Sequence, residues 1–231
     1  MPKASGDPSS RTFAPTNNAM PSSPLLVHHT TKNLKDRVTN LAATPGYCIF
    51  VDIVGSTAMK QQSMFHWIAL IHNTFSNVTT FLDSFAPLKG IGDELMYYIE
   101  EADLTASGYS PMQIFDALYQ IANETEQDYP KTKIVAAYCS SVFPMTFIPG
   151  ARDYYGIDID RAARLKGDMT PAVREGEVLI DEGFYNRIMP SYEATGNKPQ
   201  FISIQNLQGP TERTLKGIAE PVRVYRTLPV T

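Results

Sequence analysis

The chain has 231 residues, 43% of them hydrophobic, with a formal net charge of −4, which is enough for one sizeable core, or one core with a tail. The acidic balance argues against a general nucleic-acid binder, because such proteins need a cationic surface to neutralise phosphates. No run approaches the roughly 20 apolar residues of a membrane span, and the N-terminus lacks a signal-peptide core, so the expectation is a soluble protein that is not exported. Cys48 and Cys139 form no close-spaced pair and lie in strand-like apolar runs. There a reduced thiol acts as a small hydrophobe, which fits a cytoplasmic location.

Residues 1–24 hold five prolines among many Ser, Asn and Thr and read as a disordered arm, since such a composition cannot repay the entropy of ordering. Residues 25–44 read as a helical lead-in ended by Ala-Thr-Pro-Gly, and 45–231 as the domain proper. Its first element is an apolar strand from Tyr47 to Ile53, ending on Asp52 and a glycine turn. Ser56 or Thr57 is expected to cap one helix running towards Asp83. Its stripe of Met59, Met64, Trp67, Ile68, Ile71, Phe75, Val78 and Leu82 is read as core or subunit interface.

Two short strands, 87–91 and 94–99, flank Gly92-Asp93 and predict a hairpin with an acidic tip. A helix begins at Pro111 with Ile114, Leu118 and Ile121 on one face. Residues 134–147 read as a strand region, 157–166 as a helix and 177–180 as a strand, followed by closing strands near 200–205 and 221–227. This order predicts an α+β sandwich of the ferredoxin-like kind, a largely antiparallel sheet with helices packed on one face.

Asp52 at a strand end and Asp93 at a tight turn present carboxylates from rigid elements. Ile53 adds a backbone carbonyl where the chain turns. Hard divalent cations that serve nucleotide chemistry use such oxygens, with substrate phosphates completing the shell. Taken alone, the two aspartates are better read as a helix cap, Asp52, and a turn residue, Asp93. His28, His29, His66 and His72 have no metal-ligand spacing and read as structural or exposed.

Five segments in one order change the weight of that pair: FVDIVGST at 50–57, LKGIGDELM at 88–96, DYYGIDIDRAARL at 153–165, GEVLID at 176–181 and LKGIAEPVRVY at 215–225. Together they resemble the class III nucleotidyl cyclase family over roughly residues 45–228. The resemblance implies a homodimer with active sites across the interface. It also implies two magnesium or manganese ions on Asp52, Ile53 and Asp93, and attack of a ribose 3′-hydroxyl on the α-phosphorus with loss of pyrophosphate. Arg164 matches the arginine that stabilises charge on the α-phosphate, and Lys216 a lysine that contacts the terminal phosphates.

Asp160 stands where the family has a ribose-orienting asparagine, four residues before the arginine. The HxG-like element of the preceding strand is replaced around Tyr138-Cys139-Ser140-Ser141. Lys89 and Asp153 match the pair that reads adenine in adenylate cyclases, yet the same lysine and aspartate suit cytosine, or uracil after a small shift. Phe50, Arg152, Tyr154 and Tyr155 are candidates for narrowing the pocket to a pyrimidine, or for ordinary packing.

GDELMYY, DIDRAARL and the compact chain most resemble the stand-alone pyrimidine cyclases of bacterial Pycsar antiphage systems. In that branch cyclic UMP or cyclic CMP switches on a separate effector protein. The branch's habit points to UTP. The alternatives are an adenylate cyclase, a catalytically silent cyclase-like dimerisation or nucleotide-sensing module, and a metal-dependent phosphotransferase. The presence of Asp52, Asp93 and Arg164 argues against the silent module, and the LKGIAEPVRVY ending against the phosphotransferase.

Overall fold

The computed structural model describes residues 41–123, 131–145, 152–168, 176–194, 196 and 201–227. The expected arm at 1–24 and nearly all of the expected lead-in lie outside them.

Strand β1 (Gly46–Ile53) is buried along almost its whole length, as its continuous apolar run requires of a central strand. Gly46 opens it because a Cβ there would lie 2.5 Å from the Ile99 carbonyl oxygen. β1 pairs antiparallel with β3 (Glu94–Glu100) on one side and β4 (Thr132–Cys139) on the other. The full sheet adds β2 (Lys89–Ile91), β7 (Val178–Asp181), β8 (Leu207–Arg213) and β9 (Val222–Thr227), in the order β2-β3-β1-β4-β7-β9-β8. Among the described residues, only the β4–β7 pair is parallel. A small separate ribbon joins β5 (Phe143–Pro144) to β6 (Tyr154–Tyr155).

Side-chain alternation divides β1 between two faces. Tyr47, Ile49 and Val51 enter the main core with Val78 and Leu82 at the end of α2 (Met64–Phe81), Phe115 and Leu118 of α4 (Pro111–Ala122), and Phe184 and Ile188 of α6 (Glu182–Ala194). Cys48 and Phe50 face the other way, against Met96, Tyr98, Ala137, Cys139, Tyr154 and Ala162. Ala162 belongs to α5 (Ile157–Asp168), so the α+β sandwich carries its main helices on one face and this one helix across the other. Both cysteines are buried free thiols, as expected.

Several local expectations change. The helix expected from residue 56 to 83 is two: α1 (Ser56–Gln62) and α2 meet at Ser63, whose extended φ of −158° breaks the run and whose Oγ accepts from the His66 amide to cap the second helix. The cap of α1 is Gly55 in a left-handed conformation, φ 73°, rather than Ser56 or Thr57. The predicted stripe is buried only towards its C-terminal end, at Val78 and Leu82, while Met64 and Ile68 are exposed. Residues 202–205 form a short helix, α7 (Ile202–Gln205), with the strand starting only at Leu207. Helices α3 (Glu101–Ser107) and α6 were not anticipated. At α4 the reading holds, with Pro111 starting the helix and Ile114, Leu118 and Ile121 buried, and the structure adds a capping box of Ser110 with Gln113. Among the described residues no helix is long and apolar enough to cross a membrane.

Candidate active site

The antiparallel registers line up two rows of side chains on the α5 face of the sheet. Lys133, Asp52 and Glu94 stand opposite one another across β4, β1 and β3. Two residues along, Val135, Phe50, Met96 and Lys89 form the next row, which extends to β2. Asp93 closes the two-residue turn between β2 and β3, beside Gly92 in a left-handed conformation at φ 66°. Asp93 thus immediately precedes Glu94, the register partner of Asp52, and the two sequence-predicted carboxylates come to the same end of the sheet. Ile53 buries its side chain, which leaves its backbone carbonyl as the group to offer.

This row alternates in charge. Lys133 Nζ lies 2.8 Å from Asp52 Oδ2. The buried Glu94 is paired with Lys166 of α5, whose ammonium also stands 5.6 Å from the centre of the Phe50 ring. A carboxylate so buried is tolerated because the cation is held on it. The Asp52–Lys133 contact also tests whether a cation suits the position: a carboxylate oxygen already faces positive charge there, and both aspartates retain partial exposure. No group of three or more His, Cys, Asp or Glu side chains able to hold a metal occurs among the described residues. Two carboxylates and one carbonyl would therefore need substrate oxygens to complete a coordination shell, as magnesium sites in nucleotide enzymes commonly do.

A second group gathers on Asp153. Its Oδ1 accepts from Lys89 Nζ at 3.2 Å and from the Tyr154 amide at 2.9 Å, and its Oδ2 accepts from the Tyr155 hydroxyl at 3.1 Å. Desolvation first, and then the bond to Asp153, raise the Tyr155 pKa, so the phenol keeps its proton as a donor. The other two flanking residues turn elsewhere. Arg152 pairs with Glu100 and lies over the Tyr154 ring, while the Tyr154 hydroxyl also donates to Glu100. The next residue must be glycine, since a Cβ on Gly156 would lie 2.5 Å from the Ser141 carbonyl oxygen.

Asp160 and Arg164 are both exposed and stand four residues apart on α5, the spacing that places side chains on one helix face. A Cβ built on Gly217, φ 80°, would be 3.7 Å from Arg164 Nη2. The arginine therefore lies against the backbone of the turn that carries Lys216. Leu165 and Leu215, buried in the same small cluster, fasten that turn to the helix. The structure thus brings Arg164 to Lys216, Lys89 to Asp153, and Asp52 to the hairpin of Asp93.

Four structurally important residues were not singled out from the sequence. Lys133 and Lys166 are isolated lysines with no spacing signal, although alternation from Asp52 and the adjacency of Glu94 to Asp93 mark where partners would fall. Asp158 holds the Ser140-Ser141 segment: its Oδ2 accepts from the Ser140 and Ser141 amides at 2.8 and 3.0 Å, and Arg161 lies 3.3 Å from its Oδ1. Asp181 accepts from the Phe184 and Tyr138 amides at 2.8 and 3.0 Å, capping α6 and tying it to β4.

No protein-family model and no curated protein matches the chain. Solved structures do. An adenylate cyclase from Trypanosoma brucei, described in its monomeric state, superposes with a TM-score of 0.59 at 15% identity, over 81% of this chain and 91% of that one. The adenylyl cyclase CyaB from P. aeruginosa gives 0.58 at 16% identity, over 83% of this chain and 97% of the other. The dimeric guanylyl cyclase domain of a RhoGC fusion protein from Blastocladiella emersonii gives 0.53 at 12% identity, over 80% and 97%. The chain has the class III nucleotidyl cyclase fold. Within that fold, Asp52, Glu94, Phe50 and Lys89 lie in the two sheet rows on the side that α5 covers.

Proposed function

We propose that the chain is a nucleotide cyclase, acting as a homodimer, that converts a pyrimidine nucleoside triphosphate, UTP by preference, to its 3′,5′-cyclic monophosphate and pyrophosphate. The observation that carries this reading is the register that sets Asp52 beside the hairpin of Asp93, on the sheet face that α5 covers with Asp160 and Arg164. A structural aspartate pair has no need of that company.

In this reading Asp52, Asp93 and the Ile53 carbonyl hold two magnesium or manganese ions. When bound, these supply Lewis acidity to the ribose 3′-hydroxyl and neutralise the triphosphate. The 3′-oxygen forms a bond to the α-phosphorus, its proton departs, and the bond from the α-phosphorus to the bridging oxygen breaks as pyrophosphate leaves. Arg164 of one protomer meets the charge that grows on the α-phosphate, where a fixed guanidinium is best suited. Lys216, on the turn against Arg164, takes the terminal phosphates. Asp160, one helical turn before the arginine, accepts from a ribose hydroxyl. Lys89 and Asp153 receive the base, with Phe50 in the same row as Lys89. The cyclic product acts as a second messenger on a separate effector in antiphage defence.

The Lys89–Asp153 contact also favours a second reading, because adenine asks for the same donor and acceptor; the alternative is an adenylate cyclase. Purified protein incubated with Mn2+ and each of the four ribonucleoside triphosphates decides between them by chromatography of the products. Cyclic UMP or cyclic CMP with pyrophosphate is expected. Cyclic AMP alone would sink the pyrimidine claim, and no cyclic product at all would return the fold to a silent module.

A further inference from the structure

Helix α5 carries Asp160 and Arg164, and its two ends are fastened by different means. Near the C-terminal end, Leu165 packs with Leu215 and Lys166 pairs with Glu94. At the N-terminal end the polar fastening is one carboxylate. Asp158 is 5% exposed, and its Oδ2 accepts from the Ser140 amide at 2.8 Å, the Ser141 amide at 3.0 Å and the Ser140 hydroxyl at 3.3 Å. Arg161, three residues along the helix, supplies the balancing charge at Oδ1. Both oxygens are committed within the chain, and neither is offered to a nucleotide.

We propose that Asp158 is a positioning residue for the cyclisation: by tying the first turn of α5 to the end of β4, it sets Asp160 and Arg164 against the metal aspartates of the other protomer. The proposal rests on the cyclase reading and its cross-interface dimer, and holds for any base. The tie is short. Ser140 and Ser141 directly follow Cys139, the last residue of β4, and β4 is paired along its whole length with β1. The same segment meets the helix a second time at Gly156, where a Cβ would lie 2.5 Å from the Ser141 carbonyl oxygen and 3.2 Å from Val142 Cα. The Gly156 carbonyl in turn accepts from the amides of Ile159 and Asp160 at 3.1 and 3.3 Å.

Loss of the Asp158 carboxylate frees the turn that holds Asp160, while Leu165 and Lys166 still hold the far end. The helix then pivots rather than detaches. Hydrogen bonds to an ionised acceptor are the strong ones, and a misplacement of about 1 Å at a reacting group can cost about 10²-fold in rate. The damage falls on the half of the site that α5 supplies and spares the chain's own Asp52 and Asp93, which stand on β1 and the β2–β3 turn.

Mixing experiments separate the two halves. Asp158→Ala alone is expected to lower kcat about tenfold or more, with Mn2+ and the triphosphate that wild type cyclises fastest. Mixed in equal amounts with Asp93→Ala and allowed to exchange, half of the dimers hold one chain of each, and each of these has one site with intact metal aspartates and an intact α5. Activity should rise to about a quarter of wild type. Mixed with Arg164→Ala, every site has a damaged α5, and activity should stay near about one-twentieth. A side chain that only supports the fold would weaken both halves and be rescued by neither partner.

Undiminished activity of D158A, rescue by R164A, or no rescue by D93A overturns the proposal. If D158A shows no cooperative urea transition, Asp158→Asn takes its place, since it keeps the side-chain shape and one oxygen for the amides. Its mixture with D93A should be more active than its mixture with R164A by about twofold or more, and equal mixtures overturn the proposal. A wild type that cyclises no triphosphate ends the cyclase reading, and a D93A–R164A mixture that stays inactive ends its dimer; the proposal falls with either. With wild type active and that control rescued, a wrong pattern for Asp158 overturns the proposal alone.

Discussion

Lys133 Nζ stands 2.8 Å from Asp52 Oδ2, from the residue directly opposite on the neighbouring strand. The aspartate proposed to hold metal is thus already neutralised by a tethered ammonium, at 28% and 17% side-chain exposure for the pair. A divalent ion must compete with that lysine or share the carboxylate with it. Replacing Lys133 with methionine removes the competitor and keeps much of the stem. Mn2+ binding without nucleotide, followed by electron paramagnetic resonance, is expected to tighten about threefold to tenfold in K133M, the scale of a partly exposed ion pair. Weaker binding would mean that the lysine prepares Asp52 rather than opposing the ion.

The proposed dimer makes a prediction that a single-chain site does not. Asp93→Ala and Arg164→Ala should each lose cyclase activity, since one removes a metal carboxylate and the other the cation at the α-phosphate. Mixed in equal amounts and allowed to exchange, half of the dimers carry one of each chain, and each of these has one intact site. Activity should recover to about a quarter of wild type, and a mixture as inactive as its components would place both residues in one site of one chain.

The Glu94–Lys166 pair joins the hairpin of Asp93 to the helix of Arg164. Glu94 is 5% exposed, so removing its cation strands a charge in a site with little water. K166M should lower unfolding stability by about 3–5 kcal/mol, and K166M combined with Glu94→Gln should recover most of that loss. Urea titrations of the two variants check both statements. A mild effect in the single variant would show that water reaches Glu94 once the lysine is gone.

Asp181 supplies a pH dependence. Burial pushes its carboxyl up from the usual 3.8 to about 6, against the opposing effect of the amides of Phe184 and Tyr138 that bond to it. The native protein therefore binds this proton more tightly than the unfolded chain does. The stability it contributes is fully present below about pH 4 and is lost as pH rises towards 6, by about 3 kcal/mol in all. Asp181→Asn keeps an oxygen for the two amides and cannot ionise. Relative to D181N, wild type should lose stability between pH 4 and 7 in thermal melts, and parallel profiles would mean that Asp181 ionises normally.

Some of this was legible in the residues. The apolar run of β1, the acidic hairpin and the start of α4 at Pro111 depend on short-range rules, and the structure follows them. The Lys89–Asp153 contact came from resemblance, since no spacing rule links residues 64 apart. What was missed has common causes. The break at Ser63 interrupts an otherwise continuous helical pattern with a residue that only its extended conformation reveals. Helix α6 is marked by Phe184 and Ile188 four apart, a short signal easily absorbed into the preceding strand, and its cap, Asp181, is also the last residue of β7. Lys133 and Lys166 gain their roles from strand register and from a helix laid across the sheet, relations that exist only in three dimensions.

A strand paired one residue out of step would present Val51 where Asp52 now stands and turn the acid inward among Val78, Phe115 and Phe184. The apolar side of β1 makes that error expensive, and so the packing on one face of the sheet proofreads the chemistry on the other. Substitutions at Tyr47, Ile49 or Val51, which never meet a nucleotide, would then erode activity by loosening the alignment of a site they do not touch.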